Sequence, residues 1–356
     1  SVIVLAEKSD INNESILYGG FYKLNNKEFR HKFIDIYKII QPYRRKYITE
    51  DEWSFANETE LIIKEKIESI CQELGDFEGV NIYRGVTTGY NPAFIIDEEE
   101  KKELVSSNRN NLQVIKPLLQ GRNIKKWKYQ FNKEHLIFIP WHFPLHKDEL
   151  INGSSDISEK EFESRYTSLY YHLVNFKTEL SDRNKAETGI RYEWYALQRC
   201  AATYYEEFEK NEKVVWGLTA DKWAFAYDVK QHYLPSNGYI LTSEHISTKY
   251  ILGLLNSNLL KFYFKFIGIM TAGGAYTLKH GTITKLPFPR EFNEAKIEKI
   301  VDEILKQKDK NKDIKILENK LNAMVYKLYK LTFEEIKIIE PEFNPTKKEY
   351  NNYQIN

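Results

Sequence analysis

The segment from His245 to Arg290 limits what this chain can fold into more than any other stretch. Tyr250, Ile251, Leu254, Leu255, Leu259, Phe262 and Phe266 recur at three- and four-residue steps, the period of a helix with one buried side. Ser247 or Thr248 can cap its start and Gly268 its end, which predicts a helix of about five to six turns. Lys249, Asn256, Asn258, Lys261 and Lys265 interrupt the apolar run, so it is no membrane span. Thr271-Ala272-Gly273-Gly274-Ala275-Tyr276 then predicts a loop whose glycines permit close approach of another backbone. Leu286-Pro287-Phe288-Pro289 must be extended, because proline and the residue before it disfavour helix.

The same segment contains no Asp or Glu, yet carries Lys249, Lys261, Lys265, Lys279, Lys285 and Arg290. The whole chain is balanced, with 52 basic and 51 acidic residues and a net charge of +1, which excludes a uniformly basic nucleic-acid coat. A window without carboxylates in a neutral chain points to a surface whose partner supplies the negative charge. Arg109 to Lys133 is a second such window, with Arg109, Lys116, Arg122, Lys125, Lys126, Lys128 and Lys133. Trp127, Tyr129 and Phe131 interleave there at period two, as on one face of a strand. Cations beside aromatics can neutralise phosphates and stack on bases; the plainer reading is a solvated face over a core stripe.

At 356 residues, 42% hydrophobic and 14% aromatic, the chain can bury a large core in two domains, or in one with an extension. Cys71 and Cys200 lie far apart without a CxxC, so neither a zinc ribbon nor a disulfide framework is expected. With no signal peptide and no long apolar span, the expectation is a cytosolic protein. Ser1 opens inside the strand-like run SVIVLAEK, which reads as the end of something longer.

Glu28–Gln41 reads as a strand, Trp53–Asn57 as a turn, and Glu60–Leu74 as a helix with Leu61, Ile62, Ile67, Ile70 and Leu74 inward and Gly75 as its stop. Val80–Asp97 reads as strand, loop, strand. Its loop holds Arg84, Thr87, Thr88, Tyr90 and Asn91 beside Gly85 and Gly89; these groups suit phosphates and base edges, or an ordinary hairpin loop. His135–Pro140 predicts a short buried strand and Ile157–Leu180 a helix. Arg183, Lys185, Arg191 and Arg199 surround Tyr192, Trp194 and Tyr195. Val214–Leu218 and Trp223–Val229 predict paired strands, and Tyr239–Thr242 another. Two helical stripes follow Glu294, and Thr332 with Glu335 makes a capping box for a last short helix ended by Pro341; the final residues read as a frayed end. The many short strands in a helical setting give an α+β fold class, a mixed lobe of short strands and helices followed by a C-terminal helical extension, rather than a doubly wound sheet.

Enzyme signatures are sparse. Asn91-Pro92-Ala93-Phe94 looks superficially like a methyltransferase amine-binding motif but lacks the second proline, and no glycine-rich cofactor turn precedes it. There is no Walker loop and no HExxH. Asp221, Asp228 and Lys230 give a D…DxK set that a magnesium-dependent nuclease would use. The histidines are dispersed; His135 and His142 flank a strand and fit packing or solvent better than metal.

Blocks in order along the chain resemble one family. RGVTTGYNPAFIID (Arg84–Asp97), KPLLQGRNI (Lys116–Ile124), Lys213–Asp228, ILTSEHISTKYILGLLNSNLLKFYF and ITKLPFP resemble the TaqI-like C-terminal specificity domain. The tail, IVDEILKQK through LNAMVYKLYKLTFEEIKIIE, resembles the end of type IIG restriction–modification enzymes, and SVIVLAEK the strand leaving their methyltransferase core. The resemblance implies a target recognition domain for double-stranded DNA, from a bacterial adenine-N6 methyltransferase and endonuclease. The catalytic domains would precede it in the same polypeptide. No catalytic residue and no cofactor is carried over to this chain; S-adenosylmethionine and magnesium belong to the parts of the parent outside it. The expected organisation is a linker over 1–75, a recognition domain over 76–290 and a helical tail over 291–356. Candidate DNA contacts are Arg122, Lys125, Lys126 and Lys279 for phosphates, with His280 beside them. Arg84, Thr87, Thr88, Tyr90 and Asn91 are candidates for base edges or nearby phosphates, and Tyr276 for a wedge against the groove. The alternatives are a stand-alone nuclease on Asp221, Asp228 and Lys230, and a protein-interaction scaffold acting through its tail.

Overall fold

The computed structural model describes residues 57–151, 153–183, 192–199, 204–270, 274–291 and 293–353, with the backbone of one further strand pair, β1 (Ser15–Gly19) and β2 (Ile40–Arg44). The strand expected at Ser1–Lys8, most of the one at Glu28–Gln41, the turn before Asn57, Lys185, Arg191 and Thr271–Gly273 lie outside the described residues.

Asn57 starts helix α1 (Glu58–Ile70) through a reciprocal capping box with Glu60. The helix stops short of the predicted Leu74 because Cys71–Glu73 leave it as strand β3. Ile62, expected inward, is exposed, and Ile63 is buried in its place. Next come β4 (Val80–Arg84), α2 (Asn91–Phe94), β5 (Ile95–Ile96) and α3 (Glu98–Ser107). Four short strands follow: β6 (Ile115–Pro117), β7 (Ile124–Lys125), β8 (Lys128–Tyr129) and β9 (His135–Ile137). The helix predicted from Ile157 is three pieces, α4 (Asp156–Arg165), α5 (Thr167–Val174) and α6 (Lys177–Ser181). Strands β10 (Lys213–Gly217) and β13 (Gly238–Ser243) fall where strands are expected, β12 (Ala226–Asp228) takes only part of the predicted Trp223–Val229, and β11 (Thr219–Ala220) is added. Helices α7 (Thr248–Leu255) and α8 (Asn258–Ile267) precede β14 (Ile269–Met270), β15 (Tyr276–Thr277), α9 (His280–Ile283) and β16 (Pro287–Pro289). The tail is α10 (Glu294–Asp309), α11 (Lys315–Leu328), α12 (Phe333–Ile339) and α13 (Lys347–Asn352). The class is mixed α+β with a helical C-terminal region.

An antiparallel sheet in the order β12-β10-β13-β4 divides the molecule. Successive strand residues point to opposite faces, and each face meets its own core. Val214, Trp216, Tyr239 and Leu241 join a cluster with α1, α7, α8 and the tail helices. Val215, Ala226 and Ile240 join another, built by residues between Val86 and Phe208. The two sheet faces thus belong to two cores, and Leu61, Ile251, Val301 and Tyr326 share one of them.

The predicted single helix over 248–267 breaks at Asn256-Ser257. Asn256 uses both ends of its amide on the Phe225 backbone, donating to its carbonyl at 3.0 Å and accepting from its N–H at 3.1 Å. The Ser257 hydroxyl accepts from the Leu260 N–H and caps α8. Polar side chains with tertiary or capping partners outweighed the apolar period. Gly253 lets α10 lie against α7; a Cβ there would meet methyls of Ile297 and Val301 at 2.9 Å.

Leu286–Pro289 is extended as predicted, and β16 pairs with β3. The Val80–Asp97 segment is no hairpin, since β4 pairs with β13 and β5 with β9. Trp127, Tyr129 and Phe131 do not share a strand face. Trp127 sits in the turn between β7 and β8 with φ +73°, and is buried. The Thr332–Glu335 capping box is present. The C-terminal end is packed rather than frayed as far as Tyr353: Thr346 and Glu349 cap α13, and Phe343 and Tyr350 are buried. No described helix is long and apolar enough to cross a membrane.

Candidate nucleic-acid interface

The C-terminal ends of β4 and β10 and the start of β13 lie at one end of the sheet, where Arg84 faces Tyr239 and Gly217 faces Gly238 in register. The connections leaving that end are tied together by backbone. Gly85 donates to Gly238 O at 2.8 Å, Leu218 to Asn237 O at 2.8 Å and Leu278 to Leu218 O at 2.7 Å. Gly121 packs directly on Gly217: a Cβ on Gly121 would meet Gly217 Cα and Asn237 O, each at 3.1 Å. This glycine pair lets the first acid-free window approach the sheet end. The second window arrives beside it, because β15 pairs with β11, Tyr276 opposite Ala220.

Between them is a cleft of about 880 Å³. The first window contributes Arg122, Lys125, Lys126 and Lys128; the connection after β10 contributes Asp221, Lys222 and Trp223; the second window contributes Asn256, Asn258, Lys261 and Tyr276; and α10 contributes Lys308. Asp221 is the only carboxylate among these lining residues, against seven cationic side chains. Among the described residues, Lys126 is the one cleft cation held by a carboxylate, Glu318 of α11 at 2.8 Å. Lys125 donates to Arg122 O at 3.1 Å and Lys128 to Asn311 Oδ1 at 2.8 Å. Unpaired cations crowded in one concavity repel one another and favour a polyanion that neutralises several at once.

Arg122, Lys125, Lys126 and Tyr276, all candidates from sequence, line this cleft. Tyr276 is a wall element: its ring packs edge-on against Trp223 and Phe264, at centroid distances of 5.7 and 5.8 Å. Lys279 and His280 are exposed at the start of α9, two and three residues beyond Thr277, which pairs with cleft residue Thr219. Arg84 is exposed, and its Nε donates to Ser236 O at 2.7 Å. The rest of that loop turns onto the second lobe. Arg199 donates to Thr87 O, and Arg183 Nη1 to Thr88 O at 2.7 Å. Thr88 is 4% exposed and its hydroxyl donates to Asn91 Oδ1 at 2.7 Å. Tyr90 leans on Phe176. Thr88 thus has its polar group committed internally. Sequence reasoning did not single out Lys222, Lys308, Asn256 or Asn258 for the site. Lys261 was visible as a cation of the second window; nothing local marks Lys308, which reaches the cleft from the tail.

The nuclease set does not assemble. Asp228 is fully buried and accepts from Lys213 Nζ at 2.9 Å, His232 Nδ1 at 2.8 Å, Tyr129 Oη at 2.9 Å, and the N–H groups of Lys230 and His232. Burial alone would push its carboxyl up. The His232 hydrogen bond, the charges of Lys213 and His232 and the Lys213 hydrogen bond more than offset this and hold it well below the usual carboxylate range. Burial lowers the Lys213 ammonium, and Asp228 opposes that shift. Asp221 is exposed and Lys230 is not part of this network through its side chain. Among the described residues no group of three or more His, Cys, Asp and Glu could hold a metal ion. His135 is buried beside Lys101, and His142 faces Glu193 at 3.0 Å.

Residues 116–288 match the family model of the TaqI-like C-terminal specificity domain. Over these residues, just under half of the chain, the segment is similar to a TaqI-like specificity domain. It contains both acid-free cleft walls from Lys116 on, while the Arg84–Asn91 loop and the helical tail lie outside the matched residues. Among solved structures, similarity is found to the type IIL restriction–modification enzyme MmeI in complex with DNA, at 15% identity and TM-score 0.48, covering 79% of this chain and 36% of that one. The type IIG restriction endonuclease BpuSI matches at 12% identity and TM-score 0.40, covering 86% and 36%. The chain thus spans little more than a third of the length of either. No curated protein matches it.

Proposed function

We propose that this chain recognises double-stranded DNA in a sequence-specific way, as the target recognition part of a restriction–modification enzyme. The observation that carries the reading is the meeting of two acid-free windows, distant in sequence, in one cleft where seven cations face a single carboxylate. The specificity-domain match over 116–288 supports it. In this reading Arg122, Lys125, Lys222 and Lys261 bind phosphates and set the register on the duplex, and Asn256 and Asn258 stand at the cleft wall. Arg84, Lys279 and His280 extend the contact along the same end of the sheet. Methylation of adenine N6 with S-adenosylmethionine, and cleavage with magnesium, are assigned to other parts of a type IIG parent polypeptide. This chain supplies the grip and the choice of site.

The test is binding to a random-sequence duplex pool, with selection and with titration across salt. Enrichment of one sequence is expected, together with a steep fall of log K against log salt. Arg122→Ala and Lys125→Ala should each weaken binding to all duplexes alike and reduce the slope by about one. Binding that is absent, or that is independent of salt, ends the reading.

A further inference from the structure

The cleft carries one internal contradiction: a cation where DNA would lie is already neutralised from behind. Lys126 Nζ is 2.8 Å from Glu318 Oε1. The same oxygen accepts from Trp127 Nε1 at 2.7 Å. Glu318 belongs to the tail helix α11, about 190 residues away in sequence, and is not among the residues lining the cleft. Trp127 is held independently of this contact. Its side chain is buried and its N–H donates to Phe225 O at 2.9 Å, so the β7–β8 turn stays fixed with Trp127 at φ +73°. The Lys126 ammonium, by contrast, is partly exposed, 5.7 Å from the Trp127 ring centre. It can move between Glu318 and the cleft without moving the backbone.

We propose that Glu318 is an internal stand-in for a DNA phosphate, which Lys126 must leave when the duplex enters. The proposal rests on the DNA-binding reading above and adds a regulatory element to it: the helical tail sets how much charge the cleft offers. A lysine that trades one anion for another gains little. Its phosphate contact releases a counterion from DNA, while the abandoned carboxylate recruits one. Lys126 therefore contributes weakly to affinity and salt dependence in the native protein, unlike Arg122 and Lys125, which lack a carboxylate partner among the described residues.

The experiment is a double-mutant cycle on the full chain, using a duplex that the wild-type protein binds, titrated across salt. Glu318→Gln keeps an acceptor for Trp127 Nε1 and removes only the charge. It is expected to tighten binding about fivefold at 0.15 M salt and to steepen the slope by up to about 0.9, the release of one further counterion. Lys126→Gln is expected to change wild-type affinity less than about twofold and to cost about fivefold in the Glu318→Gln background. A purely structural Glu318 would leave the slope unmoved. Unchanged or weaker binding by Glu318→Gln, or an equal cost of Lys126→Gln in both backgrounds, overturns the proposal. If Glu318→Gln does not fold, Lys126→Gln alone decides: a full loss of about 0.9 in slope in the otherwise wild-type protein shows that Lys126 was never withheld. Failure of the wild-type chain to bind any duplex is a different result, and it removes the DNA reading itself.

Discussion

The Asp228 network joins β10 and β12 within the sheet that positions the cleft, and Asp228→Asn tests what it is for. Asp228 and Lys213 are both without solvent exposure, and their charges meet at 2.9 Å. Substitution keeps the shape of the side chain but removes the negative charge opposite the Lys213 ammonium, whose remaining partners, among them the Phe208 and Lys210 carbonyls at 2.8 and 3.3 Å, are all neutral. Breaking a buried pair from one side costs about 3–5 kcal/mol, because the remaining charge loses its counterion and regains no water. The ratio of folded to unfolded chain should then fall by a factor of between about 10² and several thousand. Urea unfolding followed by tryptophan fluorescence measures this; Trp216, on the strand that carries Lys213, is fully buried. Lys213→Met should cost a comparable amount. The Asp228→Asn, Lys213→Met double variant should be more stable than the sum of the two losses implies, since the orphaned charge is gone. A loss below about 1 kcal/mol for Asp228→Asn would mean that the site admits water or relaxes, and the argument from burial would fail. The same variant addresses the nuclease alternative: magnesium-dependent cleavage of DNA by the wild-type chain, lost in a stably folded Asp228→Asn protein, would return Asp228 to a catalytic role.

Acid should act through the same group. Because the Asp228 carboxyl is held below its ordinary value, its contribution is complete above the unfolded value near about 4 and is lost as pH falls below it. Melting temperatures should therefore begin to drop as pH falls below about 5 and go on dropping well below about pH 3, toward the depressed folded value, and this component of the drop should be missing in Asp228→Asn. In α7, against the tail, Gly253→Ala places a methyl 2.9 Å from Ile297 Cγ2 and Val301 Cγ2, and should cost about 1–3 kcal/mol in urea unfolding through displacement of α10 from α7. An unchanged or increased stability would show that the helices separate freely at that contact.

The parts of the fold that were legible in the sequence are those where local signals and tertiary context agree. The strands β10 and β13 carry short continuous apolar runs, Val214–Trp216 and Tyr239–Leu241, and both of their faces are buried. Thr332 and Glu335 announce a capping box that needs no distant partner. The failures share one cause. Asn256-Ser257 lies inside an apolar period, and its break depends on the backbone of Phe225, which no local pattern identifies. Trp127, Tyr129 and Phe131 alternate like a strand face, yet a two-residue turn places Trp127 in the left-handed region and sends Tyr129 to Asp228. The helix over 157–180 is divided where Tyr166 and Phe176 pack into the second core or onto it.

The candidate site divides in the same way. Lack of carboxylates is a property of composition, so it survives ignorance of the fold. Both windows were visible for that reason, and the strand pairings of β11 with β15 and the contact of Gly121 with Gly217 explain why they meet. Charge count alone, however, does not give the charge available to a ligand. Lys125 and Lys126 are neighbours in sequence and look equivalent, but one donates to a carbonyl and the other to the Glu318 carboxylate. That difference originates in α11, packed into the same core as α1 and α7. A tail read from sequence as a separate extension is thus the element that decides how two adjacent lysines differ in their response to a phosphate, and any exchange of tails between related chains should alter affinity and salt slope even where every cleft residue is kept.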